Sequence, residues 1–308
     1  MKKKFISSNM KIFMLILLLL SITFYTSGCI ALVQSGYKLS NYADELHINP
    51  YTLEHNLNFK NFNLDFNTSY LSKDYALNNN VNEIDFNLNS QDIKLVDYDG
   101  DDLKIQIKSN NNISNDLSEI QSGSKLTFST RYDTPSDASI SVSIPYKFKD
   151  KRILKIITSS GDINISGLSL NTLNLSSASG SIVLSDSFLN YLGLNSSSGN
   201  INFNNIETST ETKLSSSSGN IIGNGNLGSI TGNISSGDIN LRIINYLNNI
   251  SLSSHSGSIN LSIPEGSGYK INYETNSGSL NSANNQLSSG DESSLINITT
   301  VSGDLNIK

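Results

Sequence analysis

Aliphatic residues recur at every second position along much of this chain, and from residue 158 onward one phrase, Ser-Gly-(Asp/Ser/Asn)-(Ile/Leu), interrupts the alternation at regular intervals. A two-residue period puts alternate side chains on one face of a strand, so the pattern predicts an all-β protein. The glycines of the phrase are Gly161, Gly180, Gly199, Gly219, Gly237, Gly257, Gly278 and Gly303, separated by 19, 19, 20, 18, 20, 21 and 25 residues. Repeats of this length are single supersecondary units that bury a core only by stacking on their neighbours. The expected fold class is a single elongated β-solenoid, or β-helix, with rungs of about 19–20 residues.

Alignment on the glycines turns the text into columns. Two residues after each glycine stand Ile163, Ile182, Ile201, Ile221, Ile239, Ile259, Leu280 and Leu305, which predicts an inward core column. Five before it come Ile156, Leu175, Leu194, Leu214, Gly232, Leu252, Tyr273 and Ile298, also expected to face in. Serine precedes every glycine, and glycine suits a corner that needs either φ > 0 or close approach to the next rung. Between the inward positions after the corner runs Asn164, Val183, Asn202, Ile222, Asn240, Asn260, Asn281, Asn306, an outward column whose amides can hydrogen-bond from rung to rung.

The same spelling reaches upstream. Ile84, Phe86, Ile93 and Leu95 surround Ser90-Gln91 as a rung with the glycine replaced, and Ile140, Val142, Ile144 and Pro145 repeat the spacing of Ile259, Leu261, Ile263 and Pro264. The solenoid is therefore placed at 81–308, most regular over 158–308, with the polar stretch 110–121 as an insertion. Residues 53–80, with Leu57, Phe59, Phe62, Leu64 and Phe66, are expected to supply strands that cap the first rung. At the other end Leu305 and Ile307 lie so near Lys308 that the last repeat must either fold its extra residues over the end or leave an edge for self-association through the C-terminal rung.

Residues 1–28 read as a signal peptide: Lys2, Lys3, Lys4 and Lys11 precede an apolar run, Ile12 to Ile22, that is short for a membrane span. The run ends at Thr26-Ser27-Gly28-Cys29, which resembles the lipobox of bacterial lipoproteins, with threonine where leucine is usual. The resemblance implies lipid attachment at Cys29, a tether over 29–52 and a partner in the membrane itself. An uncleaved anchor helix through Ile30–Val33 is the other reading, and both place the solenoid outside the cytoplasm.

Composition narrows the function classes. A single cysteine excludes an intrachain disulfide, and a net charge of −6 argues against nucleic acid or anionic surfaces as electrostatic partners. His47, His55 and His255 form no metal-binding or triad grammar, so no metal, cofactor or catalytic residue is expected. Asp97, Asp99, Asp101 and Asp102 lack calcium-loop spacing and read as a polar hairpin turn. Asp162, Asp238 and Asp304 share one column, but Asp162 and Asp238 would lie four rungs and about 19 Å apart, beyond the reach of paired glycosidase acids.

The Ser-Gly repeats, the Ser-Val-Ser-Ile-Pro strand at 141–145 and the N-terminal membrane signal resemble the bacterial putative-adhesin family. The resemblance implies a surface-displayed β-solenoid without established catalytic residues. The expected function is accordingly non-enzymatic: adhesion or envelope scaffolding by a repetitive polar wall whose ligand is a glycan or a surface protein. The alternatives are an envelope-stress sensor or decoy that binds a membrane protein or cationic peptide, and a polysaccharide-active β-helix enzyme.

Overall fold

The chain divides into two units, residues 1–65 and 66–308. The computed structural model describes residues 69–308 apart from 78–79, 112, 114–116, 132–133, 149–151 and 283–285. The expected signal peptide, Cys29, the tether, His47, His55 and the apolar positions at 57–66 lie outside the described residues.

The described part of the second unit is all-β, with 22 strands hydrogen-bonded into one sheet and no helix among the described residues. Most strand pairs are parallel and in exact repeat register. One inward column runs Phe128, Phe86, Ile156, Leu175, Leu194, Leu214, Gly232, Leu252, Ile298, Tyr273. The column after the corner runs Ile140, Ile93, Ile163, Ile182, Ile201, Ile221, Ile239, Ile259, Leu305, Leu280. From Ile163 to Ile259, and again at Leu305, these side chains are fully buried; Leu280, in the end rung, is half-buried. Where a column carries glycine, a neighbour fills the space: the ring of Phe203 lies where a side chain on Gly223 would stand.

The corners explain the glycines by proximity rather than by backbone angle. A Cβ on Gly199 would lie 2.1 Å from the carbonyl oxygen of Gly180, and one on Gly219 the same distance from that of Gly199. Only Gly237 and Gly257 among the corner glycines have positive φ. At Gly199 and Gly219 a buried hydroxyl three residues earlier ties the corner to itself: Ser196 Oγ donates to the Gly199 carbonyl at 2.7 Å and Ser216 Oγ to that of Gly219 at 2.8 Å. Gly199→Ala is therefore expected to destabilise the protein by about 3 kcal/mol, the upper part of the range for overpacking. Urea midpoints of the two proteins measure it, and a shift worth less than about 0.5 kcal/mol, the level of a neutral surface change, would show that the rungs can part at no cost.

The rungs do not stack in sequence order. At one end the rung of Lys125–Thr130 and Ser139–Pro145 lies outside the earlier rung of Glu83–Leu88 and Asp92–Tyr98, which it presses against Ile153–Thr158 and Ile163–Ser166. At the other, the last rung in sequence, Ser294–Ser302 with Leu305–Ile307, slots between Ile250–Ser256/Ile259–Ser262 and Tyr269–Ser277/Leu280–Asn281. Of the two alternatives for the last repeat, the open edge at the C-terminal rung is not found: that rung is paired on both sides, and Lys308 N donates to Leu261 O at 2.9 Å. The end of the stack is the 269–281 rung. There Ser288–Ser289 pairs antiparallel with Tyr269–Lys270, and Ile271 N donates to Leu287 O, so residues of the long final repeat do fold back over it.

The opposite end is closed by antiparallel strands. Asp102–Ser109 lies on Ser139–Pro145 with Ser69–Ala76 outside it, and Leu117–Ser122 lies on Lys125–Thr130. Two expectations change here. The Asp97–Asp102 segment is not a hairpin, because Ser139–Pro145 sits between the strands it joins. The 110–121 stretch is not merely an insertion, because it contains the strand Leu117–Ser122, whose Leu117 is buried. Phe128 is part of this end too, stacked on Phe86 at 5.2 Å and met edge-on by Tyr75 at 4.9 Å.

Candidate functional site

The outward positions form rows along the stack, and much of their chemistry is spent on the stack itself. The residue after the corner glycine is the clearest case. Asp162 Oδ1 accepts from Ser181 N at 2.7 Å, Asp238 Oδ1 from Ser258 N at 2.8 Å and Asp304 Oδ1 from Ser279 N at 2.8 Å, each in the neighbouring rung. Asn200 and Asn220 do the same with their amide oxygens. These carboxylates replace a backbone acceptor that the corner cannot supply, a role that the recurrence of Asp, Asn and Ser at this position could have signalled.

The asparagine column forms a partial ladder. Asn281 Nδ2 donates to Asn306 Oδ1, Asn306 Nδ2 to Asn260 Oδ1 and Asn260 Nδ2 to Asn240 Oδ1, at 2.9, 2.7 and 2.8 Å. Exposed Ile222 and Val183 interrupt it farther along. A second row places Asn190 Nδ2 on Asn171 Oδ1 at 2.7 Å and Ser209 Oγ on Asn190 Oδ1 at 2.6 Å. Amides and hydroxyls are thereby held at a fixed repeat along the wall.

His255 lies exposed in the strand Ile250–Ser256. No group of three or more His, Cys, Asp or Glu that could hold a metal occurs among the described residues. Asp85 is buried with Lys125 Nζ at 2.6 Å from one oxygen, and Lys125 also reaches Glu83 at 2.9 Å. Hydrogen bonds to these two carboxylates raise the lysine above its ordinary pKa, which keeps it charged. Asp137 is held below the usual carboxylate range by Asn111 Nδ2, Asn110 N and Ser109 Oγ, and thereby closes the loop beyond Ser109.

A concavity lies in this wall. The position six before the corner glycine reads Lys155, Asn174, Gly193, Lys213 on successive rungs. With no side chain at Gly193, the row opens into a trough of about 550 Å³ flanked by Tyr191 on one side and by Ile157, Ser176, Asn195 and Ser215 on the other. Asn174 and Tyr191 lean over the gap: a Cβ on Gly193 would lie 2.5 Å from Asn174 Oδ1 and 3.3 Å from the Tyr191 ring. Burial, and then the nearby charge of Glu211, push the Tyr191 phenol above its ordinary pKa, so it stays protonated and can donate. The volume falls within the range of small-ligand clefts. By contrast, the cavity among Leu71, Tyr75, Ile105, Ile107 and Leu117 holds only about 10 Å³. The columns read from the sequence omit this row, although offset counting from Gly161, Gly180, Gly199 and Gly219 brings its four members together.

Several solved structures are similar to this chain. One described as a putative adhesin from Parabacteroides merdae is 16% identical, with 78% of this chain and 96% of that chain covered and a TM-score of 0.50. Another putative adhesin, from Parabacteroides distasonis, is 16% identical over 77% of this chain and 97% of its own, with a TM-score of 0.49. A putative lipid binding protein from the same species is 16% identical over 79% and 97%, also with a TM-score of 0.49. No curated protein matches the chain. The profile of the Toastrack DUF4097 family matches residues 81–308, the span that contains every parallel rung described above, and the chain belongs to that family.

Proposed function

We propose that the protein is a non-enzymatic, surface-displayed lipoprotein whose rungs form a β-solenoid and whose polar wall serves adhesion or envelope scaffolding. The observation that carries this reading is the outward repeat of hydrogen-bonded amides and hydroxyls, from Asn171–Asn190–Ser209 to Asn240–Asn260–Asn306–Asn281. Groups fixed at a constant spacing along a rigid stack favour many weak contacts to a repetitive polymer, with avidity in place of a deep pocket. The aspartates that a hydrolase would need accept backbone hydrogen bonds instead. Relatives of the fold described as adhesins fit the same role, and the Cys29 motif supplies the anchor.

Beads carrying the full chain test the reading when laid on immobilised envelope polysaccharide and on polylysine. Retention on the polysaccharide several-fold above that on polylysine is expected. The reverse preference would favour the cationic-peptide decoy, and retention on neither would end the adhesive reading. In cells, Cys29→Ala is expected to move the protein out of the membrane fraction and abolish incorporation of an acyl label; an unchanged distribution would show that an uncleaved helix, not a lipid, holds it.

A further inference from the structure

We propose that the trough over Gly193 is a subsite for a linear acidic saccharide, a proposal that rests on the reading of the wall as adhesive and names what this part of it binds. Lys155 and Lys213 stand at the two ends of one outward row, three rung steps apart, which is about 14 Å at the spacing of adjacent strands. Neither lysine makes an ion pair among the described residues. Of the acidic groups near them one is neutralised by a cation and one is held aside by a hydroxyl while keeping the charge that acts on Tyr191. Asp85, one rung beyond Lys155, is paired with Lys125, and Glu211, beside Lys213 on the same strand, accepts from Thr231 Oγ1 at 2.7 Å. The chain as a whole is acidic, so this row of two uncommitted ammonium groups is a local exception.

The floor between the cations fits a sugar ring better than a bare anion. Tyr191 is tilted over Gly193, and Ile157 is exposed across the row, which gives apolar surface for the C–H faces of a pyranose. The Asn174 amide lies against the same gap, within reach of ring hydroxyls as both donor and acceptor. An open trough a few rungs long admits a chain that continues past both ends, as a polymer segment must. Gly193 itself lies in an extended strand without positive φ, so a side chain there would leave the backbone unstrained but would push the Asn174 amide aside and occupy the trough.

The test uses the full chain in detergent solution with hexagalacturonate as the probe, its fully methyl-esterified neutral form as the charge control, and poly(glycerol phosphate) as a polyanion without rings. Calorimetric binding of the acid at least tenfold tighter than of either control is expected. Tyr191→Ala, and Lys155→Gln with Lys213→Gln, should each weaken it at least tenfold with unchanged thermal melting, and Gly193→Leu, which must displace the Asn174 amide, should weaken it as much. Equal binding of acid and ester, equal binding of the phosphate polymer, no binding of the acid, or native affinity in the melting-competent variants would each overturn the proposal. Bead retention separates this from the broader reading: if the native chain adheres and the variants adhere equally, the trough falls and the adhesive wall stands, whereas a native chain that does not adhere removes the wall itself.

Discussion

Ile201→Asp is expected to unfold the stack around the Gly199 corner, with a loss of more than about 4 kcal/mol, the range reserved for a buried unpaired charge. Ile201 is fully buried, pairs with Ile182 on one side and Ile221 on the other, and lies midway along its column. The substitution removes an aliphatic contact worth roughly 1.5–3 kcal/mol. It also places a carboxylate where the nearest groups are the side chains of other isoleucines. Asn202→Asp, one residue on, is the control. Asn202 faces outward between Val183 and Ile222, neither of which can hydrogen-bond to it, so the ladder loses nothing there and an effect within about 0.5 kcal/mol is expected. Denaturant midpoints of the two variants give the comparison; equal midpoints would mean that the two-residue alternation does not separate core from wall. Because rungs interact only with their neighbours, the Ile201 variant should also broaden the transition, as the two halves of the stack lose their connection.

The all-β class is legible from the sequence because strand alternation leaves a mark at every second residue, and the Ser-Gly phrase marks where each strand pair turns. Rung order leaves no such mark. Ile259 packs as well beneath Leu305 as it would beneath Leu280, since both are aliphatic and both follow a Ser-Gly step; only the 25-residue interval before Gly303 hints that the chain steps over a slot and returns. At the other end Leu126 and Phe128 occupy the inward columns, but the turn that follows them is the loop through Thr134 and Ala138 instead of a Ser-Gly corner, so glycine alignment passes them by. Gln91 can stand in for a corner glycine for a related reason. No glycine carbonyl lies beneath it; its side chain instead bonds to Thr134 O and Pro135 O of that loop. The trough over Gly193 is hidden differently, because it arises from one missing side chain in a row whose other members vary from rung to rung.

The exchanged rung order makes a prediction that a stack in sequence order would not. Ile298 is buried between Leu252 and Tyr273, so it joins the 250–262 rung to the 269–281 rung although it follows both in sequence. Ile298→Asp should therefore release two rungs, its own and the 269–281 rung, whose remaining cover is the short pairing of Ser288–Ser289 with Tyr269–Lys270. A cost of about 4 kcal/mol or more is expected from the same buried charge, which at about 1.4 kcal/mol per tenfold is a loss of amide protection approaching a thousandfold. Hydrogen exchange of the full chain reads it: amides of 269–281 and 294–307 should lose protection together, while those of 163–243 keep theirs. Ile271→Asp, in the end rung, should unprotect 269–281 and leave 294–307 paired to 250–262. Protection of 269–281 that survives in the Ile298 variant would mean that the end rung is held by something other than the rung inserted beneath it. The permutation serves stability for a plain reason: the 294–307 rung has a neighbour on each side, and the rung left at the edge is joined through the chain to strands that are already paired.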